Sequence, residues 1–111
     1  MKMSSGYEIF EDLESKVVDW GWSKGILTDA LPSTERKLKQ FSKTEEEVIE
    51  LFDAIKAEDR EEAVDAIGDI LVTVIIFAQQ LGYTPAECLE AAWNEIKDRT
   101  GKTVNGVFIK N

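Results

Sequence analysis

Apolar positions along the chain fall into stretches of helical period, separated by short polar stops. Over residues 5–22, Phe10, Leu13, Val17 and Trp20 recur at steps of three and four, the stripe of an amphipathic helix. Gly21 and Gly25 mark a ragged end, and residues 23–32, which carry Gly, Asp and Pro, read as a loop. Ser33 or Thr34 then caps a second helix with Leu38, Phe41, Val48, Leu51, Phe52 and Ile55 on its apolar face, running to about Ala57. Residues 42–44 compete for backbone hydrogen bonds and are where this helix would kink. Only residues 56–60 separate it from a third helix, so the two must form an antiparallel hairpin, with Asp59 capping the third.

From residue 63 to 81 that third helix is apolar on nearly every side, through Val64, Ile67, Ile70, Leu71, Val74, Ile75, Phe77 and Ala78. Such a helix is buried all round, and in so short a chain this implies another subunit. Gly82 ends it. Thr84-Pro85-Ala86-Glu87 starts a fourth helix, with Thr as cap, Pro in the first position and Glu closing a capping box, and this helix extends to about Arg99. Residues 102–109 are two β-prone runs around Asn105-Gly106, the strongest hairpin turn signal. The pattern predicts an all-α fold in a single domain over residues 1–111: four helices, a helical hairpin, a short C-terminal β-hairpin and an oligomeric bundle.

Charge narrows the partners. With 22 acidic and 13 basic residues the net charge is −9, which disfavours nucleic-acid backbone and anionic membranes as partners but leaves nucleotides open through bridging divalent ions. The absence of His excludes a His-based triad, a His-ligated zinc and the Glu-x-x-His di-iron pattern. The single Cys88 cannot form an internal disulfide, the first six residues are short and polar, and the longest apolar run, residues 70–78, is too short to span a bilayer. Together these features lead to an expectation of a soluble, cytoplasmic protein.

The acids are grouped. Residues four apart on a helix differ by about 40° and residues three apart by about 60°, so Glu46, Glu47 and Glu50 share one arc of the second helix, and Glu62, Asp65 and Asp69 share one on the third. The hairpin brings these arcs together, and like charges that close call for a cation among them; hard oxygen ligands point to Mg²⁺, with Mn²⁺ as a substitute. A lone buried acid ordinarily pairs with a Lys or caps a backbone group. Asp69 is not alone, having Asp65 one turn before it in the most apolar helix of the chain. Glu45, Glu58 and Glu61 read as solvated. In the fourth helix Asn94 and Lys97, with Arg99 and Lys102 beyond, are the candidates for meeting phosphate.

Three strings in order, residues 43–51 (KTEEEVIEL), 65–71 (DAIGDIL) and 94–99 (NEIKDR), resemble the MazG-like family of all-α nucleoside triphosphate pyrophosphohydrolases, most closely its short phage-type members. The resemblance covers nearly the whole chain, including residues 20–27 and the tail. It implies Mg²⁺-dependent cleavage between the α- and β-phosphates of a (deoxy)nucleoside triphosphate, in a homodimer or homotetramer, in the bacterial host cytoplasm if the chain is phage-encoded. The family's Glu-Glu-x-x-Glu falls on Glu46, Glu47 and Glu50. Its Glu-x-x-Asp meets Ala66 three residues before Asp69, leaving Asp65, shifted by one, or Glu62 to supply the missing ligand. The implied metal ligands are Glu47, Glu50, Asp65 and Asp69, with Glu46 or Glu47 as base. Lys97, together with Lys43 or Arg99, would offset charge on the leaving pyrophosphate, and the base would lie toward the N-terminal segment near Trp20, Trp22 or Phe41. The rival reading is an acidic helical interaction or structural protein with a degenerate metal site.

Overall fold

The computed structural model describes residues 9–111. Its elements are α1 (Phe10–Ser23), α2 (Thr34–Lys56), α3 (Arg60–Gln80), α4 (Pro85–Ile96), β1 (Gly101–Val104) and β2 (Val107–Lys110). The four helices and the short antiparallel hairpin match the expected all-α architecture. The expected helical residues 5–8 lie outside the described residues, and Ile9 is the extended residue before α1.

Helix starts follow the side chains that can cap them. Ser33 accepts from the Arg36 N–H at 3.2 Å and Asp59 from the Glu62 N–H at 3.1 Å. Thr84 and Glu87 close a reciprocal capping box. Helix ends follow the backbone. After α1 the N–H groups of Gly25 and Ile26 bond to the carbonyls of Trp22 and Gly21. Those of Gly82 and Tyr83 do the same for Gln79 and Ala78 after α3. Both are Schellman motifs with a left-handed glycine, φ 74° and 84°. A third Schellman motif ends α2, and there the left-handed position holds Glu58 (φ 53°).

Several expected details are corrected. α2 runs unbroken through residues 42–44: the Thr44 hydroxyl stands 3.3 Å from the Gln40 carbonyl one turn back in its own helix and 3.0 Å from the Thr73 hydroxyl of α3, and the second contact ties this stretch to α3. Gly21 is not a ragged end but a buried helical residue: a Cβ there would stand 2.6 Å from Ile76 Cδ1 and 3.1 Å from Leu27 Cδ1, so glycine is what lets α1 approach α3. α4 stops at Ile96, three residues short of Arg99.

α3 is central, packed by α1, α2 and α4, while among the described residues α4 packs on no other helix. The interior is built on Leu27, Ala54, Ala66, Ile75, Ile76 and Ala78. α3 is not buried all round within one chain: Val64, Ile67, Leu71 and Val74 are exposed, as are Leu89, Trp93 and Ile96 of α4 and Val107, Phe108 and Ile109 of β2. The Cα radius of gyration is 16.5 Å, against about 13 Å for a compact domain of this length. The accessible surface is 8935 Å², against about 6,200 Å² for a monomer of this mass. Among the described residues no single helix is long and apolar enough to cross a membrane. In the C-terminal hairpin, Asn105 (φ 51°) and Gly106 (φ 81°) form the two-residue turn between β1 and β2.

Candidate metal centre

The α2–α3 hairpin turns at Glu58, and Glu47 and Asp69 are each eleven residues from it, so the two carboxylates meet across the helix pair. Glu50, one turn beyond Glu47, completes the group: one carboxylate oxygen from each of Glu47, Glu50 and Asp69 lies within 4.8 Å of the others. Oxygens bound to one Mg²⁺ or Ca²⁺ at 2.0–2.6 Å can be no more than about 4–5 Å apart, so this spacing fits a shared cation.

Electrostatics point the same way. Glu47 is 7% exposed, and its Oε2 is buried without a hydrogen-bond partner among the described residues. Burial pushes the Glu47 carboxyl above the ordinary carboxylate range, Glu50 beside it adds to the shift, and Lys43 opposes it. Burial likewise raises Asp69, with Asp65 and Glu47 contributing and Lys43 opposing. The only ammonium paired with these acids among the described residues is that of Lys43, 3.6 Å from Glu47 Oε1 and 3.5 Å from Glu46 Oε2. Its own pKa is raised, by Glu46 first and Glu47 second. One exposed lysine does not neutralise three converging acids, and a buried carboxylate oxygen without a partner is costly unless a cation meets it. The donor set, all oxygen and no nitrogen or sulfur, suits a hard divalent ion.

The other candidate residues are placed differently. Glu46 is exposed and paired with Lys43, because adjacent helical residues point about 100° apart and Glu47 takes the inward direction. Asp65 is exposed one turn before Asp69, close enough to raise its pKa but outside the converging three. Glu62 lines a shallow recess with Glu50, Asp53 and Asp59. Asn94, Lys97 and Arg99 are exposed on or just after α4, with no side-chain bond to the acids among the described residues. Trp20 is 46% exposed on α1.

One part of the site was not anticipated. Next to the acids, a polar clasp fixes the two helices: Gln40 Nε2 donates to the Thr73 carbonyl at 2.9 Å, Thr44 Oγ1 donates to Thr73 Oγ1 at 3.0 Å, and Thr73 Oγ1 donates to the Ile70 carbonyl at 2.8 Å. The clasp sets the register that brings Glu47 against Asp69. Its signal in the sequence is Thr73, a lone hydroxyl in an apolar run.

Among known families, the model of the MazG nucleotide pyrophosphohydrolase domain matches residues 35–103, which spans α2, α3, α4 and most of β1. No curated protein and no solved structure gives a significant match.

Proposed function

The chain belongs to the MazG nucleotide pyrophosphohydrolase domain family, and from that membership we propose that it hydrolyses nucleoside triphosphates, deoxynucleotides in particular, to monophosphate and pyrophosphate. The observation that carries the reading is the convergence of Glu47, Glu50 and Asp69, with one Glu47 carboxylate oxygen buried and without a partner among the described residues. These three side chains would hold Mg²⁺, with Mn²⁺ able to replace it and Asp65 or Glu62 able to add a ligand. When bound, the ion supplies neutralisation of the triphosphate oxygens and a lowered pKa for a coordinated water. Glu46, exposed beside the site, accepts the proton of the attacking water, and Glu47 is the alternative acceptor. As the water oxygen bonds to the α-phosphorus, the bond from that phosphorus to the α,β-bridging oxygen breaks, and pyrophosphate leaves with that oxygen against positive charge from Lys43.

Asn94, Lys97 and Arg99 belong to the same machinery only if they reach the acids of a second copy, since among the described residues α4 packs on α3 alone. The exposed faces of α3 and α4 and the surplus accessible surface support a homodimer or homotetramer. The test is incubation of the purified protein with the common ribo- and deoxynucleotides in Mg²⁺, with pyrophosphate and orthophosphate detected separately. Pyrophosphate as the primary product is expected; primary orthophosphate refutes the assigned chemistry.

A further inference from the structure

The C-terminal hairpin has nothing of its own chain to rest on. Among the described residues β1 and β2 pack on each other and on no helix. α3 has 21 residues and is about 30 Å long, and α4 leaves its C-terminal end at 97°, so the hairpin is carried away from the Glu58 turn at the other end of α3. A two-stranded hairpin alone is at best marginally stable in water.

The strand register sorts its side chains. Val104 pairs with Val107 and Lys102 with Ile109, so these four share one face, while Gly101, Thr103, Phe108 and Lys110 share the other. On the second face Phe108 lies over Gly101, where a Cβ would stand 2.8 Å from Phe108 Cζ. The first face has no such cover: Val104, Val107 and Ile109 are 39%, 63% and 53% exposed.

Charge identifies what fits against it. Residues 97–111 carry Lys97, Arg99, Lys102 and Lys110 against Asp98, a net +3, whereas residues 1–96 carry 21 acids and 9 bases, a net −12. The body of this chain is therefore the electrostatic complement of its own tail. One place on it offers an apolar floor together with acids. A recess of about 320 Å³ near the Glu58 turn has Ala54 and Ala57 in its wall, with Glu50, Asp53, Asp59 and Glu62 around them. A smaller one of about 170 Å³ adjoins it, sharing Ala54 and Asp59 and adding Ile55 and Ala63. The alanines leave room for valine and isoleucine side chains, and the acids would meet Lys102, which shares the hairpin's aliphatic face. A standard interface takes about 800 Å² from each partner, and the surface this chain exposes beyond that of a monomer of its mass exceeds that amount.

We propose that the C-terminal hairpin is an arm exchanged between copies of this chain: its Val104, Val107 and Ile109 face seats on the Ala54 and Ala57 recess of a second copy, with Lys102 among that copy's Glu50, Asp53 and Glu62. Glu50 also belongs to the metal centre, so the arm brings a neighbour's ammonium group to the edge of that centre. The inference rests on the self-association proposed above and not on the pyrophosphohydrolase reading.

The test is disulfide trapping between copies of the full chain. Cys88, the single cysteine, is replaced by Ser, and Lys102→Cys and Asp53→Cys are made separately in that background, so that a bond between them can form only across two molecules. The two variants are mixed in EDTA in a glutathione redox buffer, without nucleotide, and linked dimers are identified by mass spectrometry; Asp19→Cys on α1 replaces Asp53→Cys in the control mixture. Linkage of residue 102 to residue 53 is expected to exceed the control about tenfold or more. Adding Val107→Asp to the Lys102→Cys chain removes one buried apolar contact and should lower that yield about tenfold, with circular dichroism confirming that the helices remain. The inference is overturned if the yield does not exceed the control, if Val107→Asp leaves it unchanged, or if Lys102→Cys links mainly to itself, which would place hairpin on hairpin. Because the trapping needs neither metal nor turnover, an inactive protein that links residue 102 to residue 53 would defeat the hydrolase reading and leave the exchanged arm standing.

Discussion

Replacing Glu47 by Gln should make the metal-free protein more stable, the reverse of what losing a buried ion-pair partner does. In the apo chain the ionised Glu47 faces Glu50 and Asp69 and has one oxygen sealed off without a partner among the described residues. Its contact with Lys43 spans 3.6 Å to a side chain 58% exposed, the kind of pair worth only about 0–1 kcal/mol. Leaving a buried polar atom unpaired costs about 1–3 kcal/mol and more when it is charged. The difference favours Gln, which keeps the shape and removes the charge, by about 1–2 kcal/mol. For a domain of this size that corresponds to a rise in Tm of roughly 5–10 °C, read by circular dichroism at pH 7.5 in EDTA and at fixed protein concentration. Adding Mg²⁺ should then stabilise the wild type, by about 2.7 kcal/mol at one hundred times Kd, and leave the variant almost unmoved. The sign with pH is also fixed. Because Glu47 and Asp69 have raised pKa values in the fold, their ionisation opposes folding above those values, and that cost disappears as pH falls toward the ordinary carboxylate range. The apo wild type should therefore gain stability on mild acidification, and Glu47→Gln should gain less. A variant less stable than the apo wild type would refute the reasoning and make Glu47 a structural partner of Lys43.

Other expectations follow from particular positions. Glu50→Gln and Asp69→Asn should abolish turnover while leaving the apo protein at least as stable as the wild type, read by activity and melting in parallel. Glu58 holds a left-handed C-terminal position (φ 53°), so Glu58→Gly should raise stability by about 1 kcal/mol in chemical denaturation. Gly21→Ala drives a methyl group into Ile76 and should cost about 1–3 kcal/mol. In sedimentation the protein should be a dimer or larger at micromolar concentration; a well-folded monomer would contradict the open faces of α3 and α4 as subunit interfaces.

Much of this architecture is written in local signals. Ser33, Asp59 and the Thr84 to Glu87 capping box place three helix starts, Gly25 and Gly82 place two ends, and Asn105-Gly106 places the turn between β1 and β2. The meeting of Glu47 with Asp69 is legible too, because a tight hairpin at Glu58 pairs residues at equal distances from it. What stayed hidden depends on neighbours far along the chain. Gly21 looks like a helix breaker until Ile76 is known to lie against it. Residues 42–44 look like a kink until Thr73 receives the Thr44 hydroxyl. Glu46 and Glu47 look equivalent, and only the direction of α3 decides that Glu47 turns inward while Glu46 stays with Lys43. The end of α4 at Ile96 has no glycine to announce it, since Lys97 and Asp98 are compatible with a longer helix.

The central claim, that Glu47, Glu50 and Asp69 form a divalent-metal site serving pyrophosphohydrolysis, is tested most directly by metal titration of activity. The purified protein, stripped with EDTA, is given a deoxynucleoside triphosphate and increasing Mg²⁺, and pyrophosphate and orthophosphate are followed separately, with Asp69→Asn in parallel. The account predicts no product without metal, saturable release of pyrophosphate with nucleoside monophosphate as Mg²⁺ rises, and none from the variant. Product formation independent of metal, orthophosphate as the primary product, or full activity in Asp69→Asn would contradict it.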